Sequence, residues 1–425
     1  MRRSAIREVD VAVFGGGPAG TATALALARL GCSATVIERT YYNTVRIGET
    51  LPPKICLLLA SLGVWEEFLA QNHCRSFAIN SAWGQAELYA NDFIFNPYGS
   101  GWHVDRALFD TMLAHATENA GIQVLRGAQL ISLQERDSSG WCVEIGAEGK
   151  QFEWNAQFLV DATGRASTIA RKQGRIRISC DHLIGVVAFF APDLRETASN
   201  NATLVESVEL GWWYSSLLPN GQVVVAFMTD ADIYARASKN SRYFWNDELQ
   251  KTKHTKERLH AEAPTCVPQV VSANSSYLDK TVGQNWLAVG DAAMAFDPLS
   301  SQGIYKALDT GLQAAEAVHE CISGDVEALL RYATQLDDNF DRYLAVRGRY
   351  YMRETRWPDS LFWQRRHIAT TPIRLPKTKN KSKRGSRLHA RQTRHGFQAS
   401  CKRLPPVARH VVTTHPPKLR FKGQS

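Results

Sequence analysis

A glycine-rich turn near the N-terminus has the residue types and the spacing that bind a dinucleotide. The chain reads Gly-Gly-Gly-Pro-Ala-Gly from Gly15 to Gly20, between an apolar run and a helical pattern. In such a turn the first glycine permits the sharp bend, Gly17 lets the backbone approach a pyrophosphate, and Gly20 lets the helix pack closely on its strand. The helix N-terminus, with Pro18 and Ala19 in its first turn, then directs free N–H groups at the phosphates.

An acidic residue stands where this motif requires one. Glu38 ends the next apolar run, 18 residues after Gly20. A carboxylate at that place accepts hydrogen bonds from the ribose hydroxyls of adenosine, and its charge repels a 2′-phosphate. We include the neighbouring Arg39 in the predicted nucleotide site. The alternative is a glycine-rich turn that binds no nucleotide, but the strand-turn-helix-strand order favours the dinucleotide.

A second segment, residues 287–304, contains Gly290-Asp291, Pro298 and Gly303-Ile304. It resembles the Gly-Asp segment of flavoprotein hydroxylases with the p-hydroxybenzoate hydroxylase fold. The resemblance implies that Asp291 binds the ribityl chain of FAD, and that Pro298, Gly303 and Ile304 lie beside the isoalloxazine ring. A helix that begins near Gly303 would direct its positive end at the flavin N1–C2 edge, where negative charge collects on reduction. An ordinary strand-turn-helix is the alternative.

Two further segments are similar to motifs of the same family. Asp161-Ala-Thr-Gly-Arg165 follows an apolar run and resembles the middle motif, which implies that Asp161 contributes to the cofactor site. Arg106 resembles the family arginine that lies near the FAD phosphates and ribityl chain, a surface arginine being the alternative. The sequence contains one dinucleotide fingerprint only. We therefore expect the electrons to come from NAD(P)H that docks transiently, or from a flavin reductase.

Other segments narrow the resemblance to a branch related to the flavin-dependent tryptophan halogenases. They are Arg46-Ile-Gly-Glu-Thr-Leu-Pro-Pro53, Ser81-Ala-Trp-Gly84, Gly101-Trp-His-Val-Asp-Arg106 and Asp297-Pro-Leu-Ser-Ser-Gln-Gly-Ile304. This branch includes the flavoprotein maturases of cysteine tryptophylquinone enzymes. The resemblance implies that the chain uses O2 to modify a tryptophan of a partner, the precursor polypeptide of a quinone-cofactor oxidase or dehydrogenase. The alternatives are a small-molecule hydroxylase, a tryptophan halogenase, or a flavin-binding maturation chaperone without turnover.

One departure from the halogenase pattern favours oxygenation over halogenation. Halogenases carry a Trp-x-Trp-x-Ile-Pro segment, whereas residues 214–219 here read Tyr-Ser-Ser-Leu-Leu-Pro and keep the proline alone. We expect an indole to be oxygenated in a pocket of aromatic residues, although packing within a sheet is the alternative for each of them. The candidates are Trp83, Phe93, Phe95, Tyr98, Trp102, Trp212, Trp213 and Tyr214. His103 is a weak candidate for an acid or base, and the catalytic group is otherwise not identified.

The order of helical and strand patterns predicts an α/β fold with an α+β insertion. We expect a Rossmann-type FAD-binding domain, an inserted substrate domain built on a mixed or antiparallel β-sheet, and a C-terminal helical segment. The FAD-binding domain would comprise residues 1–75, 105–175 and 280–325, and the substrate domain residues 76–104 and 176–279. Residues 326–370 would form the helical segment, and residues 371–425 a basic disordered tail.

The charge distribution limits the possible partners. The net charge is +9, yet residues 374–425 hold 15 Lys and Arg and no acid, which leaves a net charge of −6 for residues 1–373. The body lacks a nucleic-acid-reading motif, so we expect no specific nucleic acid. Eight scattered cysteines without a Cys-x-x-Cys pair favour reduced thiols and no metal site. We found no convincing targeting signal or membrane span, and we expect a cytoplasmic protein.

Overall fold

The computed structural model describes residues 7–136, 140–191, 201–240, 243–259 and 263–368. The strands in these ranges are β1 (Arg7–Phe14), β2 (Ala34–Ile37), β3 (Thr50–Leu51), β4 (Cys74–Ser76), β5 (Ala78–Ala82), β6 (Tyr89–Asp92), β7 (Gly101–His103), β8 (Gln123–Leu125), β9 (Ala128–Arg136), β10 (Gly140–Ala147), β11 (Lys150–Asp161), β12 (Arg177–Ser179), β13 (Leu183–Phe190), β14 (Thr203–Val208), β15 (Gly211–Leu217), β16 (Val223–Asp230), β17 (Gln269–Ser272), β18 (Ser276–Leu278), β19 (Val282–Gly283), β20 (Trp286–Ala288) and β21 (Met294–Ala295). The helices are α1 (Pro18–Arg29), α2 (Ile55–Ser61), α3 (Trp65–Ala70), α4 (Arg106–Asn119), α5 (Thr168–Lys172), α6 (Ala231–Asn240), α7 (Phe244–Gln250), α8 (His254–Glu257), α9 (Gly303–Ile322), α10 (Ala328–Tyr351) and α11 (Leu361–Ile368).

The first of two large sheets is parallel at its centre. Its central strands run β20-β11-β1-β2-β8, and each neighbouring pair along this order is parallel. The second half of β1, Val11–Phe14, is apolar and fully buried, as expected for a strand covered on both faces. β11 pairs along its first half with β10 in an antiparallel hairpin that β9 extends. This is the sheet of a nucleotide-binding domain.

A second sheet of seven strands runs in the order β17-β13-β16-β15-β14-β5-β6. Its pairs are antiparallel except β14 with β5, which are parallel, so the sheet is mixed. Apolar clusters cover both of its faces, and Trp212 and Trp213 of β15 point to opposite clusters because side chains alternate along a strand.

The last helices connect the two sheets. α9 packs on α1 so closely that a Cβ atom on Gly311 would lie 2.7 Å from the carbonyl oxygen of Ala19. Further along the chain, α11 is held to the second sheet by Arg365 and Arg366, which both donate to the buried carboxylate of Asp230.

The predicted fold class is confirmed, including the mixed sheet and the C-terminal helices. The helix predicted to begin near Gly303 begins at that residue, as α9. The domain boundaries stay predictions. The predicted tail lies outside the described residues. No helix among the described residues is long and apolar enough to cross a membrane.

Candidate functional site

The four motifs singled out in the sequence meet at one edge of the parallel sheet. Gly15 follows β1, Glu38 follows β2, Asp161 ends β11 and Gly290 comes two residues after β20. Because these strands are parallel neighbours, their carboxyl ends share that edge. The carboxyl edge of such a sheet is where α/β folds bind nucleotides.

The glycine-rich turn has the geometry that its sequence predicts. Gly15 has φ of 104°, a conformation that side chains strongly disfavour. A Cβ atom on Gly20 would overlap the carbonyl oxygen of Gly15, whereas one on Gly17 would have as its nearest neighbour only Arg46 Nη1 at 3.8 Å. No side chain of the described residues caps the N-terminus of α1. The space before this helix is therefore open to a pyrophosphate.

Glu38 is held firmly by the backbone of this turn. Its Oε2 accepts a 2.7 Å hydrogen bond from the Gly16 N–H, and its Oε1 accepts bonds from both the N–H and the hydroxyl of Thr40. Tyr42 donates its hydroxyl to the Gly16 carbonyl and closes the turn from the other side. A carboxylate offers about four acceptor positions, and Arg46 Nη2 takes the fourth with a long 3.4 Å bond, so a ribose hydroxyl would compete with Arg46 for Glu38. Arg39, by contrast, is exposed.

Two arginines, Arg46 and Arg106, bind the buried carboxylate of Asp110 beside this turn. Of these three residues, only Arg106 was identified from the sequence as a site residue. Asp110 accepts from Arg46 Nη1 at 3.1 Å and from Arg106 Nε and Nη2 at 3.2 and 3.1 Å. Arg106 also donates to the carbonyl oxygens of Ile47 and Gly48. Arg46 also lies 3.4 Å from Glu38, so the two arginines share two carboxylates and place guanidinium donors next to the helix N-terminus. Arg46 follows an irregular loop, and no local pattern predicts its position.

In the second glycine-containing turn, which runs from Gly290 toward α9, the buried side chain of Lys306 pairs with Asp291. Lys306 Nζ in the first turn of α9 lies 2.5 Å from Asp291 Oδ1 and 2.5 Å from the Met294 carbonyl oxygen. It also lies 4.6 Å from the centre of the Phe296 ring. Burial opposes the charged form of Asp291, yet Lys306 and Arg165 lower the pKa of this carboxyl from its usual value. The amphipathic pattern of α9 does not reveal Lys306 as a functional residue.

Residues that follow β11 in the chain contact Asp291. Arg165 Nε lies 3.7 Å from Asp291 Oδ2, and Arg177 donates to the Asp291 carbonyl oxygen. Asp161 itself is fully buried, and its carboxylate accepts from Thr163 and from the Ala170 N–H. The side-chain bonds of Asp161 therefore lie within its own loop and in α5.

The loop from Asp297 to Gly303 is fixed by α10. Asp297 Oδ2 accepts from Arg347 Nε at 2.9 Å and from the Tyr351 hydroxyl at 2.7 Å. Ile304 is buried in an apolar cluster that it shares with α1, α2 and α4. Pro298 and Gly303 are exposed, and a Cβ atom on Gly303 would have no neighbour within 4 Å. The N-terminus of α9 thus also opens onto free space.

A cavity of about 500 Å³ lies between this loop, α9, α10 and one face of the second sheet. Apolar and aromatic side chains from all four elements line it, and its charged members are Asp297, Lys306, Asp309, Arg342 and Arg347. The aromatic and large apolar members are Ile79, Trp83, Tyr89, Val205, Met294, Phe296, Leu299, Tyr305, Tyr343, Val346 and Tyr350. This volume and this lining are typical of small-molecule sites.

Most of the aromatic residues proposed from the sequence for a substrate pocket do not line this cavity. Of these residues, Trp83 alone lines the cavity among the described residues, while Trp212 and Trp213 are completely buried in the sheet. The Tyr214 hydroxyl donates to the buried Glu49 carboxylate and contacts Thr50 Oγ1 at 2.5 Å. These residues alternate along β15, so the sheet rather than the sequence pattern decides which face they occupy.

His103 is also absent from the cavity lining. It is completely buried on β7, and its Nε2 lies 2.9 Å from Thr203 Oγ1. Burial, and after it the nearby Arg258, lowers the pKa of His103 to about 3. The imidazole is therefore neutral at neutral pH. Its catalytic role stays a prediction.

The donor set fits FAD better than any other cofactor. Two uncapped helix N-termini are present, and Glu38 and Asp291, the predicted acceptors for the ribose and the ribityl chain, lie at the same edge of the sheet. Within the described residues no cluster of three or more His, Cys, Asp or Glu side chains has the arrangement of a metal site.

Comparison with known proteins agrees with this geometry. The family model of the FAD-binding domain matches residues 8–338. A putative FAD-dependent oxidoreductase, LodB of Marinomonas mediterranea, is 33% identical over 364 residues, which cover 84% of this chain and 96% of that protein. A tryptophan 2-halogenase of Chondromyces crocatus is 26% identical over 373 residues, covering 84% of this chain and 70% of that enzyme.

The fold is also found among solved structures. The peptidyl tryptophan dihydroxylase QhpG, essential for tryptophylquinone cofactor biogenesis, superposes with a TM-score of 0.71 at 24% identity. The match covers 84% of this chain and 78% of that structure. At this identity the comparison establishes the shared fold.

Proposed function

Since the chain belongs to the family defined by the FAD-binding domain, and is an FAD-dependent oxidoreductase of the halogenase and hydroxylase type, we propose that it oxygenates the indole of a tryptophan in a partner polypeptide. The observation that carries this proposal is the aromatic cavity, which adjoins the loop and helix N-terminus predicted to border the isoalloxazine ring. The two predicted anchors, Glu38 and Asp291, would hold the remainder of FAD along the sheet edge.

The size and chemistry of the cavity support an indole as the group that reacts. About 500 Å³ accommodates one bicyclic ring together with the backbone that carries it. Trp83, Phe296 and Tyr305 offer ring faces and edges for offset or edge-to-face packing on an aromatic substrate. Ser300, Ser301 and Gln302 supply polar groups on the loop that faces the predicted flavin position.

The residues of this chain would orient the substrate and exclude water, while bound FAD supplies the reaction between a reduced flavin and O2. The overall reaction balances as R–H + O2 + NAD(P)H + H⁺ giving R–OH + NAD(P)⁺ + H2O. The electrons come from NAD(P)H directly or through a flavin reductase. Lys306, which is paired with Asp291, and the N-terminus of α9 would provide positive charge beside the predicted position of the flavin ring.

Two of the compared proteins support the choice of a tryptophan. The halogenase relative is named for tryptophan, and QhpG is described as acting on peptidyl tryptophan. The cavity also opens between exposed residues, among them Tyr89 and Tyr350, so an indole could enter while still attached to a polypeptide.

The direct test supplies the FAD-loaded protein with a flavin reductase, NADH, isotopically labelled O2 and a short synthetic peptide with one central tryptophan. We expect the peptide to gain labelled oxygen on the indole, located by tandem mass spectrometry, and a peptide with phenylalanine in its place to remain unchanged. Labelled water in place of labelled O2 is the matched control. Oxygen incorporated from water would contradict the proposal.

Halogenation is the second candidate, because the tryptophan halogenase relative matches 84% of this chain. The segment that follows Trp213 on β15 departs from the halogenase pattern, and for this reason we expect the product to be independent of chloride and bromide. The same assay with each halide decides the question, and a halogenated indole would replace oxygenation as the function.

A flavin-binding chaperone without turnover is the remaining alternative. O2 uptake and NADH oxidation that rise when the peptide is added support an enzyme. If uptake stays at its basal rate with every tryptophan peptide while the protein still binds them, the chaperone function is favoured.

A further inference from the structure

An edge strand of the second sheet borders the cavity. β6 is the last strand in the sheet order, and no strand among the described residues pairs with its outer side. All four of its residues are exposed. An exposed edge of this kind presents backbone N–H and C=O groups that can pair with another extended chain.

The register with β5 shows which backbone groups face outward. Phe93 N–H donates to the Phe77 carbonyl oxygen at 2.8 Å, so these two residues form a hydrogen-bonded pair. In an antiparallel ladder such pairs alternate, and the next ones are Asn91 with Ile79 and Tyr89 with Ser81. The N–H and C=O groups between them, those of Ala90 and Asp92, therefore point away from β5.

The side chains of the same strand are divided between its two faces. Tyr89 and Asn91 line the cavity, as do their partners Ile79 and Ser81 on β5. Successive side chains of a strand point to opposite faces, so a chain paired with the outer side of β6 would direct every second side chain toward the cavity face. Ile94 and Phe95, which follow the strand, are 80% and 94% exposed and extend this rim with apolar surface.

Helix α10, which also lines the cavity, carries positive charge toward its C-terminal end. Residues 342–353, which comprise the last turns of α10 and the two residues after it, contain four arginines and no acidic residue. Arg347 is paired with Asp181 and Asp297, whereas Arg342, Arg349 and Arg353 are exposed. A polypeptide that crosses the mouth of the cavity from β6 would meet this charge, which favours acidic residues beside the aromatic one.

We propose that an extended, acidic segment of the partner polypeptide adds as a strand to the free edge of β6 and thereby delivers its aromatic side chain into the cavity. This inference rests on the proposed function for the identity of the aromatic group. The backbone of Ala90 and Asp92 holds the segment, the alternation of side chains selects the residue that enters, and the arginines of α10 attract its carboxylates.

The first test leaves the protein unchanged. A fluorescent peptide with a central tryptophan and flanking glutamates is N-methylated at one backbone position at a time, and its binding to the FAD-loaded protein is measured by anisotropy. We expect the affinity to fall about tenfold at alternate positions and to change little at those between, because every second N–H faces β6. Equal losses at all positions, or none at any, would overturn strand addition.

The second test changes the edge itself. Ala90→Pro removes an outward N–H and no bond to β5, and proline is tolerated at such an edge position. We expect peptide affinity to fall about tenfold, while Ala90→Val, which retains the N–H, keeps it. FAD content and thermal midpoint establish that both variants are folded. Unchanged peptide binding in a folded Ala90→Pro protein would contradict the proposal.

The reaction and the docking can fail separately. Free tryptophan amide needs the cavity but not the edge, so its conversion should survive Ala90→Pro while conversion of the peptide falls. If affinity falls at alternate N-methylated positions but no oxygenated product forms, strand addition is supported and the proposed reaction is overturned. If the peptide is oxygenated but affinity does not alternate, the proposed reaction is supported and strand addition is overturned.

Discussion

The two glycine-containing turns of the site have similar architecture but differ in how they are held. Each follows a strand of the parallel sheet and leads toward a helix whose N-terminus no described side chain caps. The first turn, ending in α1, is shaped by close backbone contacts of its own glycines, and Glu38 and Tyr42 each add a hydrogen bond to Gly16. The second, ending in α9, depends on ionic and hydrogen-bonded contacts that Lys306, Arg165 and Arg347 bring from other segments.

This difference indicates that the two turns have different roles toward the cofactor. Backbone N–H groups and a helix dipole suffice for a pyrophosphate, whose charge does not change during the reaction. The ring of a flavin gains negative charge on reduction, and we expect a buried cation such as Lys306 to stabilise that charge selectively. We therefore expect changes in the first turn to affect folding and binding, and changes in the second to affect the redox properties of the bound flavin.

The largest effect is expected from a methyl group in the first turn. Gly20→Ala places a Cβ atom into the carbonyl oxygen of Gly15, and should lower the free energy of unfolding by about 3 kcal/mol or more. Gly303→Ala is the matched variant in the second turn, where the Cβ atom has no neighbour within 4 Å. Thermal unfolding without FAD measures both, and equal destabilisation would show that the turns do not differ in this way.

A smaller effect is expected when the ribose anchor is reversed in charge. Glu38→Arg removes the acceptor of the Gly16 N–H and adds a cation beside Arg46, so FAD should bind about 100-fold more weakly. Glu8→Arg makes the same charge change at an exposed position of β1. Fluorescence titration with FAD compares them, and wild-type affinity in Glu38→Arg would show that Glu38 is wrongly assigned.

Lys306→Met tests the second turn at nearly constant side-chain volume. Loss of the buried cation should lower the two-electron potential of bound FAD by about 30–60 mV, since about 30 mV corresponds to 1.4 kcal/mol. Arg331→Met, which removes an exposed cation on α10, serves as the control. Spectroelectrochemical titration gives both potentials. A potential equal to that of the wild type would exclude Lys306 as the residue that tunes the flavin.

The smallest effect concerns His103, which belongs to neither turn. Its pKa is about 3 in the folded protein and about 6.5 when unfolded, so between these values the unfolded chain binds more protons. Its contribution to stability is present above about pH 6.5 and is lost as the pH falls toward 3.

Replacement of this histidine should flatten that pH dependence. His103→Asn retains a side chain able to bond Thr203, and the thermal midpoint should fall less steeply with acidification than in the wild type. His73, whose pKa burial lowers to about 4, remains and accounts for a residual slope. A large loss of turnover at neutral pH with unchanged FAD content would instead support a catalytic His103.

The amino-acid sequence by itself determined the features that depend on local backbone geometry. The strand, glycine turn and helix around Gly15 are encoded within a few residues, because a positive φ and close packing each require glycine at one position. The beginning of α9 near Gly303 was also predicted from its own segment. These constraints act between near neighbours, so they can be read without knowledge of the rest of the chain.

The tertiary structure alone decided which side chains share the site. Arg46 reaches Asp110, Lys306 reaches Asp291 and Arg347 reaches Asp297 across 64, 15 and 50 positions. Trp213 is buried inside the sheet and Tyr89 lines the cavity, because strand register, which depends on distant partners, sets the face that each residue occupies. Charge pairing and pocket lining follow from these long-range contacts, and no local pattern contains them.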